Sequence, residues 1–376
     1  MDLLKRRQTM QLIETEPLVP VFYDYLYFDG TGYIDTDIQA AQDESYRFTL
    51  GMERLTSTQK IFSFTDTDRY IRAITENSNT SSTNRVYSVY YDSSSSSALL
   101  SDKSLSQHVP FTSFFLTPLN FGIASNVYSF TKGDTCPDGT LVIGSNSTHN
   151  GQSFTGAMGQ FRIYGSDAQN CTVSSDFNNY TPIKTLCPCS YGNRDGLWNV
   201  EDGKFYGNTA GSGTLKACHR LTADASSIDT INSTYFRIDN LSRAYAAYDS
   251  TNYATIIPTK GSQVESYIYF KFDTSSIPAD ATIIAVSCSV KVYASTSSNV
   301  YLPTRQVQMF SGTTAKGTAQ NFSTTAVTRK FYGVTWTRAE LENACVRMYL
   351  KRGTGNVNAE GYTARFYGAT LNVLYK

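Results

Sequence analysis

The sequence predicts an all-β protein built from two tandem antiparallel β-sandwiches. Aromatic residues make up 13% of the chain, with 27 Tyr and 21 Phe, whereas charged residues make up only 17%. Tyr, Phe, Val and Thr favour the half-buried surface of a strand. Apolar residues recur in short alternating runs between turn residues, and the apparent helix content is low. The length of 376 residues suits two domains, each able to bury its own core.

Residues 1–21 are predicted to form an extended N-terminal arm, because two prolines exclude a regular helix there. We expect this arm to dock on another subunit or on a larger particle, and the alternative is a frayed terminus. The residues expected to make the docking contacts are Leu3, Leu4, Arg6, Arg7, Pro17 and Pro20.

Residues 22–217 are predicted to form the first sandwich, with short strands separated by polar turns. Turn signals include Asp29-Gly30 and Asp202-Gly203. The predicted strands are Val21–Phe28, Tyr46–Met52, Lys60–Phe64, Tyr70–Thr75, Val86–Tyr91, Phe111–Thr117, Thr140–Ile143 and Gly159–Tyr164.

Residues 218–227 are predicted to be a polar linker, and residues 228–376 a smaller second sandwich. Residues 283–293 alternate strictly, which places Cys288 in the core. Thr337 and Glu340 have the spacing of a capping box for a short helix. In the last strand the alternation changes phase at Gly368, which predicts a β-bulge.

Two motifs in the first domain are similar to motifs of a known family of β-sandwich domains. The opening Tyr27-Phe-Asp-Gly-Thr-Gly-Tyr-Ile-Asp-Thr, and the closing Gly196-Leu-Trp-Asn-Val with Gly203-Lys-Phe-Tyr-Gly-Asn, resemble laminin-G/concanavalin-A-like jelly rolls of tailed-bacteriophage virion proteins. In the second domain, Phe270-Lys-Phe-Asp-Thr-Ser-Ser-Ile-Pro, Trp336-Thr-Arg-Ala-Glu-Leu and Arg365-Phe-Tyr-Gly-Ala-Thr-Leu resemble carbohydrate-binding-module-like sandwiches of phage structural proteins.

The resemblance implies a virion structural protein, made in the cytoplasm of a bacterial host. The interpretation we favour is a head fibre or capsid decoration protein, homo-oligomeric, anchored to other virion proteins by its arm and adhering weakly to host-surface glycans. The first alternative is a tail-associated receptor-binding lectin. The second is a polysaccharide depolymerase. No catalytic residue is carried over by the resemblance.

Charge and hydropathy argue against nucleic-acid and membrane partners. The chain has 32 basic and 32 acidic residues and no net charge, whereas nucleic-acid binding calls for clustered Lys and Arg. No apolar run approaches the ~18 residues that span a bilayer. The N-terminal residues lack the apolar segment of a secretory signal.

The sequence predicts no enzyme. Glycoside hydrolysis needs two carboxylates roughly 5–10 Å apart, and Asp35-Thr-Asp37 and Asp66-Thr-Asp68 each lie in a predicted turn without the third acid of the glucanase pattern. No cofactor is expected. The one ion considered is calcium, for which Asp66 and Asp68 are the candidate ligands, with Asp29 and Asp35 as further donors. The competing interpretation is turn capping by these side chains.

Glycan contact would require exposed aromatic side chains that stack on sugars. The candidates are Tyr90 and Tyr91 beside a Ser-rich loop, together with Tyr191, whereas Trp198 and Trp336 are expected to pack in cores. The seven cysteines are irregularly spaced and are expected to be reduced and structural. A late disulfide among the first five, or a metal site, are the alternatives.

Overall fold

A computed structural model of the chain describes residues 18–52, 59–65, 70–77, 84–92, 99–100, 109–123, 126–129, 136–145, 153–210, 213–231, 236–246, 252–258, 264–297, 301–353 and 362–376. These residues are nearly all in strands, loops and turns, which confirms the predicted all-β class. The chain divides into two compact units whose sequences meet at Ala217 and Cys218.

The first unit contains short strands throughout its described residues. Its strands are β1 (Val21–Phe22), β2 (Tyr25–Asp29), β3 (Ile34–Gln39), β4 (Ser45–Met52), β5 (Gln59–Thr65), β6 (Tyr70–Asn77), β7 (Asn84–Asp92), β8 (Leu99–Leu100), β9 (Val109–Leu116), β10 (Asn120–Ile123), β11 (Asn126–Ser129), β12 (Thr140–Ile143), β13 (Thr155–Tyr164), β14 (Lys184–Tyr191), β15 (Arg194–Asn199) and β16 (Lys204–Gly207). Two single-turn 3-10 helices, Ser166–Ala168 and Asp176–Asn179, lie between β13 and β14.

The strands of the first unit pair antiparallel in two sheets. One sheet has the order β3-β12-β5-β6-β7-β8. In the other, β13 pairs with β2, β4 and β14, and β14 continues through β15 to β16. The predicted single strand Val21–Phe28 is divided in two, because β1 pairs with β14 whereas β2 pairs with β13.

Aromatic side chains from both sheets form the core of the first unit. The Phe62 ring of one sheet lies 5.0 Å from Phe161 and 5.4 Å from Phe48 of the other, centroid to centroid. Tyr46 packs 5.5 Å from Phe64, and all five residues are essentially fully buried. Burial of each ring stabilises the fold by roughly 1.5–3 kcal/mol, which accounts for the aromatic-rich composition.

The second unit is a smaller sandwich. Its strands are β17 (Leu215–Ile231), β18 (Phe236–Asp239), β19 (Ala254–Pro258), β20 (Glu265–Phe272), β21 (Ile283–Ala294), β22 (Thr304–Ser311), β23 (Thr314–Asn321), β24 (Val327–Phe331), β25 (Ala344–Lys351) and β26 (Ala364–Tyr375), and its helices are α1 (Leu241–Ala246) and α2 (Arg338–Leu341). One sheet contains β18, β19, β26, β21 and β24, and the other contains β20, β25, β22 and β23.

The prediction that residues 218–227 form a linker is wrong, because these residues are part of β17. His219–Asp224 pair with β26 in one sheet, and the strand then shifts register after Ala225 and pairs with β20 in the other. A strand that passes between two sheets at a bend makes a corner of a sandwich. Its exposed residues 222, 224, 226 and 227 are the polar positions that made it resemble a linker.

Three local predictions for the second unit are confirmed. Cys288 is 2% exposed, in a core where the rings of Phe270 and Phe366 stack with centroids 3.5 Å apart. Gly368 has a φ of 133° at a register shift between β21 and β26. Thr337 and Glu340 cap α2 reciprocally, each side chain accepting from the other's backbone N–H.

Candidate functional site

The candidate site lies on the outer face of β14, β15 and β16, the last strands of the first unit. Their register places Cys187 beside Trp198, and Trp198 beside Phe205. Side chains alternate between the two faces of a strand. Leu186 and Leu197 are fully buried in the core, so Trp198 and Phe205 lie on the opposite, outer face.

Two glycines make room for the Phe205 ring on this face. Gly196 and Gly207 lie opposite each other on β15 and β16. A Cβ atom on Gly196 would come within 2.9 Å of the Phe205 ring, and one on Gly207 within 3.1 Å. Because neither residue has a side chain, the ring can lie close against the sheet.

Three rings and one guanidinium group form what we call the aromatic surface: Tyr191, Trp198, Phe205 and Arg194. The Tyr191 ring lies 5.3 Å from Trp198 and 5.5 Å from Phe205, at interplanar angles of 42° and 32°. The Arg194 Cζ atom lies 5.2 Å from the Phe205 centroid, within cation–π range. The three rings are half-buried and Arg194 is exposed. Such a surface offers a ligand the faces and edges of aromatic rings, together with the hydrogen-bond donors of the Arg194 guanidinium group.

Two carboxylates of β15 and the turn that follows it are held by neighbouring donors. Asp195 accepts hydrogen bonds from the Ser190 hydroxyl at 2.5 Å and from the Ala217 backbone N–H at 3.1 Å. Asp202 pairs with the Lys184 ammonium group at 2.7 Å. These contacts tie adjacent strands and turns together, which gives the two acids a structural role.

Exposed apolar side chains lie directly beside this sheet, in residues that we call the apolar edge, Leu18–Phe22. β1 pairs with the edge of β14, with Phe22 opposite Cys189. Four residues of the apolar edge are exposed: Leu18 by 62%, Val19 by 70%, Val21 by 57% and Phe22 by 49%. Clustered exposure of large apolar residues is typical of interaction sites.

The two cysteines of β14 lie on the same face as the aromatic surface but are buried. Burial raises the pKa of both thiols, that of Cys189 to about 12. They are therefore neutral at physiological pH, whereas metal ligation and nucleophilic attack require the thiolate. Cys187 and Cys189 act as small apolar residues in this sheet.

The predicted site residues fall partly within the described structure. Tyr191 belongs to the aromatic surface, and Pro20 is half-buried just before β1. Tyr90 and Tyr91 lie in β7, but their side chains are outside the described part. Also outside the described residues are Leu3, Leu4, Arg6, Arg7, Pro17, Asp66 and Asp68.

The two tryptophans differ in position. Trp336 is 5% exposed and lies in the core of the second unit, as expected. Trp198 is half-buried on an outer face instead of in a core, because its neighbour Leu197 occupies the inner face. The signals that could have located it are the alternation around Leu197 and the glycine at 196.

Asp29, a further calcium candidate, acts as a turn cap. One of its oxygens accepts from the backbone N–H and the hydroxyl of Thr31, and the other from those of Thr214. Within the described ranges, no group of three or more His, Cys, Asp or Glu side chains is arranged to hold a metal ion.

Comparisons with known proteins give weak similarities only. No protein-family model matches the chain, and no curated protein matches it significantly. Among solved structures, domains LG4-5 of the mouse laminin alpha1 chain align with 10% identity over 96% of this chain and 83% of that chain, with a TM-score of 0.29. The VP2 subviral particle of infectious bursal disease virus aligns with 9% identity over 95% and 72%, with a TM-score of 0.20. TM-scores this low support no inference about function.

None of the helices in the described segments is long and apolar enough to cross a membrane. The fold and the candidate site together define an all-β protein of two units, the first of which carries an aromatic surface next to an apolar edge.

Proposed function

We propose that this chain is a bacteriophage virion structural protein, a head fibre or capsid decoration, that adheres weakly to host-surface glycans. The observation that carries the adhesive role is the aromatic surface, with Tyr191, Trp198 and Phe205 half-buried beside Arg194. Aromatic rings offer an apolar face to the C–H groups of a sugar, while polar groups at their edges accept or donate hydrogen bonds. The opening and closing motifs, which resemble those of phage proteins, support the virion assignment.

In this proposal the N-terminal arm anchors the chain to other virion proteins. Residues 18–21 of that arm belong to the apolar edge, and their exposed side chains supply a surface that a partner would cover. Copies arranged as a homo-oligomer on a particle would present many aromatic surfaces at once. Many weak contacts then give avidity without any single strong one.

The proposed role is non-catalytic and needs no cofactor. A depolymerase would need two carboxylates poised across a scissile bond. In β15 and the turn that follows it, Asp195, Glu201 and Asp202 are engaged in structural contacts. The tail-associated lectin remains the second candidate, because the same aromatic surface would serve it equally well.

Glycan binding by the full-length chain tests the adhesive role. The chain, biotinylated and clustered on streptavidin, is applied to a glycan array as wild type and as Trp198→Ala and Tyr191→Ala. Each loss of a stacking ring should weaken binding at one site roughly 2- to 12-fold, from ~0.5–1.5 kcal/mol per aromatic contact. The matched control is Tyr180→Ala, because Tyr180 is half-buried in the same unit but packs on the separate cluster around Phe177.

Array signals that are absent for wild type, or equal for wild type and both variants, would contradict the adhesive role. Quantitative mass spectrometry of purified virus particles tests the location. Many copies per particle are expected for a head fibre or decoration and a few copies for a tail protein, and absence from the particle would overturn the virion assignment.

A further inference from the structure

The second unit contains an open cleft of about 590 Å³, away in sequence from the aromatic surface. It lies where β17 borders the end of β20, the start of β25 and the turn between β22 and β23. Its lining includes Ser227, Asp229, Tyr269, Lys271, Thr313 and Cys345. All of these residues belong to the second unit, so the cleft is complete within it.

One wall of the cleft is the aromatic ring of Tyr269, which packs against neighbouring side chains. Tyr269 is half-buried on the outer face of β20, since its neighbours Ile268 and Phe270 are buried in the core. Its ring packs edge-on against Phe310 at a centroid distance of 6.1 Å and an angle of 89°. Arg347 covers Phe310 with its Cζ atom 4.0 Å from the centroid. These contacts restrict the Tyr269 ring without burying it.

The floor of the cleft is uncharged. Cys345 is 2% exposed, and its thiol donates weakly to the Phe310 carbonyl oxygen, with Sγ and O 3.7 Å apart. Burial raises the pKa of this thiol to about 11, so it stays protonated near neutral pH. The floor therefore suits an apolar or neutral group.

The rim supplies both donors and acceptors. Lys271 and Asp229 form an ion pair, with Nζ and Oδ2 3.1 Å apart and both side chains at least half exposed. Asp273 and Glu342 also line the cleft. Glu342 pairs with the Arg338 guanidinium group, with Oε1 and Nη1 3.5 Å apart. The one cation among the lining residues, Lys271, is already paired with Asp229, which disfavours an anionic ligand.

We propose that this cleft is a second saccharide site, which takes one or two residues of a neutral sugar. An aromatic wall, a neutral floor and a rim of mixed donors and acceptors match a ring that has an apolar face and a hydroxyl at every edge. The volume lies within the range of small-molecule sites. The inference rests on the proposed function in its choice of saccharide as the ligand class, but it concerns a site separate from the aromatic surface.

Saturation-transfer NMR on the full-length chain tests the proposal. The probes are maltose, cellobiose, lactose and N,N′-diacetylchitobiose, with glucuronic acid as the anionic comparison. At least one neutral disaccharide should bind, and more tightly than glucuronic acid. Tyr269→Ala should weaken that binding about fivefold, the loss of one stacking contact. Ser227→Trp and Thr313→Trp, which place a bulky ring at exposed positions of the lining, should abolish it.

Two controls separate this site from the others. Tyr293→Ala removes a half-buried tyrosine from the other sheet of the same unit, where it packs on Arg365, and it should leave binding unchanged. All of these variants are compared in a Trp198→Ala background, which weakens sugar binding at the aromatic surface, so that the remaining signal reports the cleft. Three outcomes would overturn the cleft proposal. They are binding by none of the four disaccharides, binding that survives both Ser227→Trp and Thr313→Trp, and preference for glucuronic acid. Array binding that depends on Trp198 would still stand in each of these cases, so the two proposals fail separately.

Discussion

Asp29 and Thr214 are 185 positions apart in the chain and are joined by two hydrogen bonds. The Asp29 carboxylate accepts from the Thr214 backbone N–H at 2.8 Å and from its hydroxyl at 2.7 Å. A few residues away, the Thr209 N–H donates to the Tyr33 carbonyl oxygen at 2.9 Å. The opening motif is therefore bonded to residues that follow the closing motif. It is also bonded to the closing motif itself, because the Tyr33 N–H donates to the Asn208 side-chain oxygen at 3.3 Å. These bonds close the fold, whereas Trp198 and Phe205 of the closing motif belong to the aromatic surface.

Replacement of Asp29 by Asn should destabilise the first unit. Burial raises the pKa of this carboxyl, but hydrogen bonds from Thr31 and Thr214 outweigh that effect and lower it. The amide would keep the size of the side chain, lose the charge and present an NH₂ group to donors. We expect a loss of about 1–3 kcal/mol in the free energy of unfolding, measured by urea denaturation.

The matched control for this variant is Asp167→Asn, because Asp167 is an exposed acid in the first turn of a 3-10 helix. It should change stability by no more than ~0.5 kcal/mol. Equal stability of Asp29→Asn and wild type would show that the carboxylate does not hold the opening motif to the residues that follow the closing motif.

Asp37 should make stability depend on pH in the acid range. It accepts from the Lys204 ammonium group at 2.5 Å and from the Tyr206 hydroxyl. These bonds lower the pKa of Asp37 from 3.8 to about 2. Since the folded-state pKa lies below the unfolded-state pKa, the stabilisation is complete above about pH 4 and is lost as the pH falls toward 2.

The measurement compares wild type with Asp37→Asn across that pH range. At neutral pH the variant should be less stable by ~0.5–1 kcal/mol, a small value because the ion pair is largely exposed. The difference should narrow below about pH 4 and vanish near pH 2. A constant difference across the range would assign the effect to packing instead of charge.

The sequence predicts those structural features correctly that depend only on neighbouring residues in the chain. Strand alternation alone decides which face a residue occupies, so the sequence predicts that Cys288 lies in the core, as it does. A bulge and a capping box each depend on a few adjacent residues, so the sequence also predicts the bulge at Gly368 and the helix cap at Thr337. Such features need no knowledge of which strands are neighbours.

The sequence does not predict features that form where segments distant in the chain come into contact. The bond between Asp29 and Thr214 depends on the closure of the whole first unit, which no local pattern encodes. The aromatic surface depends on Gly196 and Gly207 lying opposite each other, because only that pairing brings Phe205 beside Tyr191. The polar residues at 218–227 predicted a linker, since a strand with an exposed face has the same composition.

Removal of the helix cap at Thr337 should weaken the second unit. The Thr337 hydroxyl accepts from the Glu340 backbone N–H at 3.2 Å, and the Glu340 carboxylate accepts from the Thr337 N–H at 2.8 Å. Thr337→Ala removes the first bond, and we expect a loss of about 1 kcal/mol, seen as a lower thermal midpoint. Thr318→Ala, an exposed position on β23, is the control and should leave the midpoint unchanged. A midpoint for Thr337→Ala equal to that of the control would show that the cap contributes nothing.

A methyl group on Gly196 should disturb both stability and the aromatic surface. The added Cβ would come within 2.2 Å of the Tyr206 backbone oxygen and 2.9 Å of the Phe205 ring. Because the first contact is with the backbone of the neighbouring strand, β15 and β16 must separate, and we expect a loss of about 2–4 kcal/mol. The displaced ring should also shift the fluorescence emission of Trp198, one of only two tryptophans.

Gly203→Ala is the comparison that separates this clash from a general effect of alanine in the same hairpin. A methyl group on Gly203 would meet no atom within 4 Å, and the residue has a φ of 64°, so alanine there adds only backbone strain of ~1–2 kcal/mol. The Trp198 emission should then stay as in wild type. If both variants gave the same loss and the same emission, close packing of Phe205 over Gly196 would not be what positions the aromatic surface.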